Sequence, residues 1–460
     1  HVTVWLSRSG RWLFIDSGGN TSSEARVVPA GDPRAEPVLL IPRRDDVEYS
    51  VDHHGERFLV LINDTHENFR LLAFAAPPDG SGPYAELIPA DDRVTLEYVD
   101  AYRSHWIIGE LEDGVRRIAV MDPASGERHY LPGSGPLASL DVEDLYDFDA
   151  DYLRYQYSTP VSPDSVYDYD VASGRSTLRK VAAPPGYQPG AYAVERLAAP
   201  SGSVEVPLTV LYRRDQAPFG QTTPLLLTGY GAYEESAEMD FDSDLLSLLD
   251  RGVVVATAHV RGGGDLGPGW HAAGRMADKE NSFSDFLACA DHLIHSGYTG
   301  AGRIAAWGAS AGGLLVAVAA QRRPELFASV VLDVPFLDVL NTLLDTDLPL
   351  TEHDFDEFGN PAVEEEYRWI RAYSPYDNIR EQVYPPMLIT TAMNDQRVGY
   401  WEALKWTARL RTTRRGDSPL LLKVDETGHL GRSGRYEVIE ETAIVYTFLL
   451  DMWGLTVEPA

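Results

Sequence analysis

The chain has 460 residues, of which 44% are hydrophobic and 24% charged, as expected for a globular protein with two or three domains. Its formal net charge of −31 argues against nucleic-acid binding, because a polyanion would be repelled. No apolar run reaches the ~20 residues that a membrane-spanning helix needs, and no leader of the signal-peptide type follows His1. The single cysteine, Cys289, excludes an internal disulfide and indicates a cytoplasmic location; its apolar helical surroundings predict a core thiol.

Residues 1–183 contain short apolar runs separated by turns rich in Gly, Pro and Asp. The runs include residues 12–15, 58–62 and 117–120, and the turns include residues 77–80 and 123–126. This regular spacing, with almost no helical periodicity, favours a propeller, a sandwich or a barrel. Repeats of ~40 to 50 residues would fit about four propeller blades into this half.

Residues 184–202 are rich in Pro, Gly and small side chains, which predicts a linker. From residue 203 to 460 strands alternate with helices, and runs such as 253–256 are apolar on both faces. This pattern predicts an α/β domain with a covered parallel sheet. The predicted strands are 207–213, 224–229, 253–259, 303–307, 329–334, 386–392 and 420–425. The predicted helices are 282–296, 311–322, 401–413 and 437–452.

The run Gly-Ala-Ser-Ala-Gly at residues 308–312 lies between a predicted strand and a predicted helix. A G-x-S-x-G in this context is typical of a nucleophile elbow, in which a sharp turn lifts the serine hydroxyl above the sheet edge. Ser310 is therefore the candidate nucleophile. The alternative is a Gly/Ser turn that matches the pattern by chance.

A serine hydroxyl needs an oriented base, and in α/β hydrolases the order along the chain is Ser, then Asp or Glu, then His. Asp395 follows the predicted strand 386–392, and His429 follows the predicted strand 420–425. They are the candidate acid and base. His259 precedes Ser310, which is the wrong order for this arrangement.

A phosphate-binding alternative comes from residues 262–267, which match G-x-G-x-x-G after a predicted strand. A dinucleotide site would require a helix immediately after the motif. Pro268-Gly269 follows instead and opposes that helix. The pair His292 and His295 shares a helix face, but no further ligand makes it a convincing metal site.

With these residues in place, the chain resembles the prolyl oligopeptidase family, and within it the oligopeptidase B branch. The stretches that carry the resemblance are residues 228–233, 258–264, 308–313, 373–378, 394–398 and 428–429, with 51–55 and 159–170 in the β half. The resemblance implies an α/β-hydrolase domain with a propeller that limits access to a buried site. It also implies a serine peptidase that acts on short peptides, with no metal and no cofactor.

The resemblance assigns further roles in catalysis and binding. It implies that the Tyr230 hydroxyl and the Ala311 backbone N–H stabilise the oxyanion, since two fixed donors are needed. It implies that Arg397 binds the substrate backbone and that Tyr233 lies among the substrate-binding positions. The alternatives are a packed aromatic side chain for Tyr230 and a surface salt bridge for Arg397.

Two pairs of acidic residues bear on specificity. In the resemblance, proline-specific relatives have a tryptophan in the region of residues 351–356, where this chain has Asp354 and Asp356. The oligopeptidase B branch usually has two glutamates at those two positions, and they receive an Arg or Lys side chain of the substrate. In an extended segment, side chains at i and i+2 lie on the same side and would hold a guanidinium together. Glu238 and Asp240 match positions that favour a second basic residue, with an acidic surface loop as the alternative.

The pattern departs from the branch at Ala309 and at Leu430, where glycine is usual. Relatives also carry an N-terminal segment and a complete propeller, so we expect either a fragment or a more open site. The predicted function is cleavage of short, preferably basic peptides after Arg or Lys. The sequence leaves the oligomeric state open, with a monomer among the alternatives. A prolyl or acylaminoacyl peptidase and an inactive propeller interaction protein remain alternatives.

Overall fold

The structure is a computed structural model that describes residues 2–19, 21–75, 84–237 and 239–455. The predicted site residue Glu238 and the predicted turn at residues 77–80 lie outside these ranges. The chain divides into two compact units. The first comprises residues 1–185 with 238–241 and 266–269, and the second comprises 186–237, 242–265 and 270–460.

The first unit contains four antiparallel sheets of four strands each, with neighbouring strands in chain order. The first two are β1 (Val2–Leu6), β2 (Trp12–Gly18), β3 (Ser23–Pro29) and β4 (Val38–Ile41), then β5 (Tyr49–His54), β6 (Arg57–Ile62), β7 (Arg70–Ala75) and β8 (Ala85–Ile88). The last two are β9 (Val94–Ala101), β10 (Trp106–Glu112), β11 (Val115–Met121) and β12 (Arg128–Tyr130), then β13 (Ser139–Val142), β14 (Tyr152–Thr159), β15 (Ser162–Asp170) and β16 (Arg175–Val181). Four such sheets match the predicted number of propeller blades.

Strand β6 explains why these blades have continuous apolar runs. Phe58 and Val60 pack with β2 and β3 of the preceding sheet, whereas Leu59 and Leu61 pack with β9 and β10 of the following one. Successive side chains of a strand point to opposite faces, so a blade between two others buries both faces. The run at residues 58–62 is therefore a strand that is apolar on both sides.

The second unit is built on an eight-stranded sheet in the order β17-β18-β20-β19-β21-β22-β23-β24. Strands β18 and β20 pair antiparallel, as do β17 and β18, and all pairs from β20 to β24 are parallel. The strands are β17 (Tyr192–Ser201), β18 (Val204–Arg213), β19 (Leu225–Gly229), β20 (Val254–Ala258), β21 (Ile304–Ala309), β22 (Phe327–Asp333), β23 (Met387–Ala392) and β24 (Leu420–Asp425). The seven predicted strands are confirmed.

The predicted linker 184–202 is wrong over most of its length, because β17 lies within it. Pro200 is typical of irregular segments, yet it lies in β17, which is the edge strand of the sheet and pairs with β18 alone among the described strands. A proline that lacks its N–H is tolerated on an edge strand, where no second partner needs the donor. The segment therefore forms part of the hydrolase sheet.

The helices of the second unit include the four that the periodicity predicts. They are α1 (Leu246–Leu249), α2 (Pro268–Ala272, which begins in the first unit), α3 (Glu280–His295), α4 (Ala311–Arg322), α5 (Val339–Leu344), α6 (Thr351–Phe358), α7 (Glu364–Tyr373), α8 (Tyr400–Thr413) and α9 (Arg435–Trp453). Helix α4 is buried along almost its whole length, and Cys289 of α3 is fully buried, which confirms a core thiol. Among the described residues no helix is long and apolar enough to cross a membrane.

The expectation of an extended segment at Asp354 and Asp356 is wrong, because both residues lie on α6. The buried side chains of α6 are Thr351, Asp354, Glu357 and Phe358, a spacing of three to four residues that is helical. Side chains two residues apart on a helix are rotated by about 200° and face different directions. Asp354 is buried, whereas Asp356 is partly exposed.

Candidate active site

Ser310 lies in the turn between β21 and α4 with a φ of 54° and a ψ of −120°. A non-glycine residue with positive φ is strained, and such strain is found at nucleophile elbows. The turn leaves no room for larger neighbours, since a Cβ on Gly308 would lie 2.1 Å from the carbonyl oxygen of Gly312. Ala309 is exposed and meets no such limit. The local backbone therefore presents the Ser310 side chain at the end of the central strand.

Asp395 and His429 are brought together by the loops after β23 and β24. The Nδ1 atom of His429 lies 2.7 Å from Oδ2 of Asp395. The other oxygen, Oδ1, accepts the backbone N–H groups of Arg397 and Val398 at 2.8 and 2.9 Å. Burial raises the pKa of Asp395, but the hydrogen bonds from His429 and the two backbone groups outweigh it and hold the pKa below its ordinary value. The carboxylate is thus held ionised beside the imidazole.

Tyr230 follows β19 and packs partly buried against the hydrolase core. Burial raises the pKa of its hydroxyl, and a hydrogen bond with the Ser310 side chain opposes that rise. A phenol with a raised pKa stays protonated and can donate a hydrogen bond. Ala311 is the first residue of α4, where backbone N–H groups have no partner within the helix. The two predicted oxyanion donors therefore flank Ser310.

Arg397 is exposed, and no ion pair to it is found in the part of the chain that the structure describes. Burial raises the pKa of Tyr230, and the charge of Arg397 weakly opposes that rise, so the guanidinium lies within electrostatic reach of the hydroxyl. The role of Arg397 in binding the substrate backbone stays a prediction. The surface salt bridge considered for it is not observed among the described residues.

Tyr233 and Asp354 meet beside this site. The Tyr233 hydroxyl donates to Oδ1 of Asp354 at 2.9 Å. Burial raises the pKa of Asp354 to about 6, the bond from Tyr233 opposes the rise, and the charge of Glu357 adds to it. Tyr233 itself has a left-handed φ of 57°. A strained loop residue thus holds a buried carboxyl group.

Asp356 does not join Asp354 as expected. Its backbone carbonyl accepts a long hydrogen bond from Arg275 at 3.5 Å, while its side chain lies on a different side of α6. The acidic side chain on the face of Asp354 is Glu357, three residues later, which the sequence interpretation missed. Its position could have been found from the helical spacing of residues 351–358.

Asp240 lies in the first unit, where it lines a cavity of about 130 Å³. The other lining residues are Ser139, Asp141, Gln156, Ser158 and Asp164. Burial raises the pKa of Asp240, Ser139 opposes this by hydrogen bonding, and the charges of Asp141 and Asp164 raise it further. The predicted second acidic position is therefore part of a cluster with two propeller carboxylates.

The glycines at 262–264 pack against the loop that follows Tyr230. A Cβ on Gly262 would lie 2.3 Å from the Gly231 carbonyl oxygen, and one on Gly264 would lie 2.2 Å from that of Glu234. Gly262 also accepts the N–H of Glu234 at 3.2 Å. The expectation that Pro268-Gly269 opposes a helix is wrong, because α2 begins directly after the motif at Pro268, the first helical position that proline tolerates. This helix has only five residues, and the glycines before it face neighbouring backbone where a dinucleotide site would need open space. These glycines permit close backbone packing behind the Tyr230 loop.

A cavity of about 360 Å³ lies beside His429. It is bounded by the ends of β21 to β24, the loop at residues 427–431 and α9. Leu430 lines it, and this side chain is 83% exposed. The departure from glycine at residue 430 therefore puts an exposed apolar side chain next to the imidazole.

Comparison with known proteins places both units in one family. Residues 239–456 match the prolyl oligopeptidase family, and residues 1–182 match the prolyl oligopeptidase N-terminal beta-propeller domain. Protease 2 of Moraxella lacunata is 36% identical over 98% of this chain and 65% of its own length. Dipeptidyl aminopeptidase BI of Pseudoxanthomonas mexicana is 35% identical over 99% of this chain and 63% of its own length.

Among solved structures, oligopeptidase B from Trypanosoma brucei with covalently bound antipain superposes with a TM-score of 0.94 at 34% identity. The match covers 99% of this chain and 66% of that one. The chain thus spans just under two thirds of these proteins, and the predicted hydrolase and propeller fold is confirmed. With both of its units matched, at residues 1–182 and 239–456, this chain belongs to the prolyl oligopeptidase family.

Proposed function

We propose that this chain carries the catalytic machinery of a serine oligopeptidase that cleaves short peptides after Arg or Lys. The observation that carries the proposal is the 2.7 Å contact between Nδ1 of His429 and Oδ2 of Asp395. Both residues follow the Ser310 elbow along the chain, in the order Ser, Asp, His that α/β hydrolases use. Relatives named protease and aminopeptidase, and a similar structure of an oligopeptidase B with covalently bound antipain, support it.

In the proposed mechanism, the Oγ of Ser310 attacks the peptide carbonyl carbon while its proton passes to Nε2 of His429. The Nδ1–H of His429 donates to Asp395, which holds the tautomer and stabilises the imidazolium. The C–N bond then breaks, and His429 gives the proton to the leaving amine. Water, activated by the same imidazole, hydrolyses the acyl-enzyme and restores the Ser310 hydroxyl.

The tetrahedral intermediate carries a negative oxygen that needs two fixed donors. The Tyr230 hydroxyl and the Ala311 N–H are the proposed pair. The raised pKa of Tyr230, caused first by burial, keeps the hydroxyl protonated. Donors fixed in a site that excludes water stabilise a developing charge without reorganisation, and this is usually the largest catalytic contribution. Arg397 is proposed to bind the substrate backbone nearby.

Specificity is proposed to rest on Asp354, with Tyr233 as its partner. A buried carboxylate attracts a guanidinium or ammonium group through charge-assisted hydrogen bonds, which are stronger than neutral ones. Asp356 is proposed as a more distant contributor, because it faces away from Asp354 on α6. Asp240 and Glu238 are proposed to favour a further basic residue, Asp240 through its cluster with Asp141 and Asp164.

The test is hydrolysis of a panel of chromogenic peptides with Arg, Lys, Pro or Leu before the scissile bond. We expect cleavage after Arg and Lys and its loss in Ser310→Ala, with Ser296→Ala as the matched control at an exposed helix end. Cleavage mainly after Pro would overturn the specificity. Activity that survives Ser310→Ala would overturn the mechanism.

The same panel decides between the alternatives. Since one relative is named a dipeptidyl aminopeptidase, peptides with free and with acetylated N-termini are included. Cleavage restricted to free dipeptidyl ends favours that exopeptidase, and cleavage restricted to acetylated single residues favours an acylaminoacyl peptidase. Failure of a fluorophosphonate to label Ser310 would favour an inactive interaction protein. A cytoplasmic location stays a prediction, and the oligomeric state stays open.

A further inference from the structure

Lys279 and Glu357 form a buried ion pair next to the turn that carries Tyr230. Lys279 precedes α3, and Glu357 lies on α6; their side chains are each 3% exposed. The Nζ of Lys279 lies 3.1 Å from Oε1 of Glu357 and 5.1 Å from the centre of the Phe358 ring. Neither residue is used in the proposed mechanism, and neither was singled out from the sequence.

Stability alone is a weak explanation for such a pair. Desolvating two charges costs free energy, and replacement of a buried pair by apolar side chains of similar volume is often neutral or stabilising. The pair does fix the relative position of the two elements that carry it, because separating the two side chains would leave two buried charges without partners. The role of the pair can therefore be inferred from the two elements that it connects.

On one side, Lys279 holds the turn that carries Tyr230. Its Nζ donates to the carbonyl oxygen of Gly231 at 2.7 Å. Gly231 has a φ of 70°, and its carbonyl also accepts a longer bond of 3.4 Å from the Ser282 hydroxyl. Because this carbonyl belongs to the residue directly after Tyr230, the ammonium group fixes the backbone from which the proposed oxyanion donor projects.

On the other side, Glu357 holds the helix that carries Asp354. The two residues are three positions apart on α6, so they share a face. The second oxygen of Glu357 lies 2.7 Å from Nε2 of His271, on α2. The charge of Glu357 also raises the pKa of Asp354, so the two carboxyl groups interact. Glu357 thus links the specificity helix to Lys279 and to α2.

We propose that Lys279 and Glu357 are positioning residues that couple basic-side-chain recognition at Asp354 to the alignment of the oxyanion donor Tyr230. The inference rests on the proposed function of this site and deepens it. A basic side chain that binds Asp354 fixes α6, and the pair transmits that position to the turn at residues 230–231. An Arg or Lys substrate is then processed faster once bound, in addition to being bound more tightly.

The first experiment measures labelling of Ser310 by a small neutral fluorophosphonate, which requires the oxyanion donors but no basic side chain. We expect Lys279→Met to slow labelling roughly tenfold to a hundredfold, the loss that a misplaced catalytic group causes. Lys405→Met is the matched control, because it also removes a lysine paired with a buried carboxylate, Asp338.

The second experiment is a double-mutant cycle on a peptidyl-Arg amide. If the pair couples the two sites, the combined loss in kcat/KM for Lys279→Met with Asp354→Asn is at least about fivefold smaller than the product of the single losses. Losses that multiply would overturn the coupling. A structural role alone would lower the thermal midpoint and leave the kinetic losses independent.

A milder variant keeps the inference testable if Lys279→Met does not fold. Glu357→Gln retains an acceptor for Lys279 while it removes the charge, so we expect partial losses in both labelling and kcat for Arg substrates. Unchanged labelling in both variants would overturn the inference whether or not the protein cleaves after Arg or Lys. Absence of such cleavage, with labelling slowed as expected, would overturn only the proposed specificity.

Discussion

The hydroxyl of Tyr233 donates a hydrogen bond of 2.9 Å to Oδ1 of Asp354, and so joins the loop after β19 to helix α6. Both partners are largely removed from water, and the loop residue has a left-handed φ of 57°. A strained conformation persists only where its surroundings hold it, and the bond to Asp354 is one such restraint. The loop that begins at Tyr230 and the helix with the acidic residue therefore depend on each other.

Replacing Asp354 should remove the preference for basic residues. We expect Asp354→Asn to lower kcat/KM for a peptidyl-Arg amide by roughly tenfold to a hundredfold, because hydrogen bonds to a charged partner are worth about 1.5–3 kcal/mol. Hydrolysis of the matching Leu peptide should change little. Asp356→Asn is the control on the same helix, and its loss should stay within about threefold. A larger loss at Asp356 than at Asp354 would contradict the geometry.

The preference for basic peptides should also depend on pH. Burial raises the pKa of Asp354 to about 6, with Tyr233 opposing and Glu357 adding to the rise. Above that pH the carboxylate attracts a cation, and below it the neutral carboxyl group does not. The ratio of kcat/KM for Arg to that for Leu should therefore fall as the pH is lowered through about 6.

Taking the ratio of the two kcat/KM values cancels the pH dependence of every catalytic step that the two substrates share. Glu357, whose charge adds to the rise in the pKa of Asp354, is itself bonded to Lys279 and His271. In Asp354→Asn the ratio should be flat with pH. A ratio that still falls in this variant would assign the pH dependence to another group.

Removal of the Tyr230 hydroxyl should affect the transition state more than binding. We expect Tyr230→Phe to lower kcat by about a hundredfold to a thousandfold with KM nearly unchanged, since loss of one oxyanion donor has that effect. Tyr212→Phe removes a hydroxyl bonded to Glu195 on β17 and serves as the control. A loss that appears only in KM would place Tyr230 in ground-state binding.

The sequence predicted best where local pattern and backbone geometry coincide. The elbow at Ser310 was predictable because Gly308 and Gly312 have no space for a side chain, and the parallel strands because they are apolar on both faces. Asp395 and His429 followed from the order of strands. The elbow and the strands depend on residues close along the chain, whereas the acid and the base depend on their places after successive strands.

The predictions failed where tertiary packing overrides composition. Pro200 suggested a linker, yet an edge strand accepts it. The spacing of Asp354 and Asp356 suggests an extended pair, yet Phe355 and Phe358 of the same segment pack against the core with helical spacing. The role of Lys279 could not be predicted, since its partner Glu357 is 78 residues distant. Only the folded sheet brings such residues together.

Glu402 of α8 should make the stability of the second unit depend on pH. Its carboxyl group is fully buried and accepts the N–H groups of Leu337 and Asp338 and the hydroxyl of Thr342 at 2.7 to 2.8 Å. Burial raises its pKa from 4.5 to about 7, and these hydrogen bonds oppose the rise. The unfolded chain thus loses this proton near pH 4.5, while the folded chain retains it to about pH 7.

Between these two pH values the unfolded state binds fewer protons than the folded state, so the free energy of unfolding falls as the pH rises from 4.5 to about 7. The fall is roughly 3 kcal/mol, and above pH 7 the contribution of Glu402 is constant. Glu402→Gln keeps the shape and the acceptor but cannot ionise, so it should lose this part of the pH dependence. Urea unfolding at pH 5 and pH 8 measures it, with Glu381→Gln as the exposed control. Equal shifts in the wild type and in Glu402→Gln would show that Glu402 does not hold its proton in the folded state.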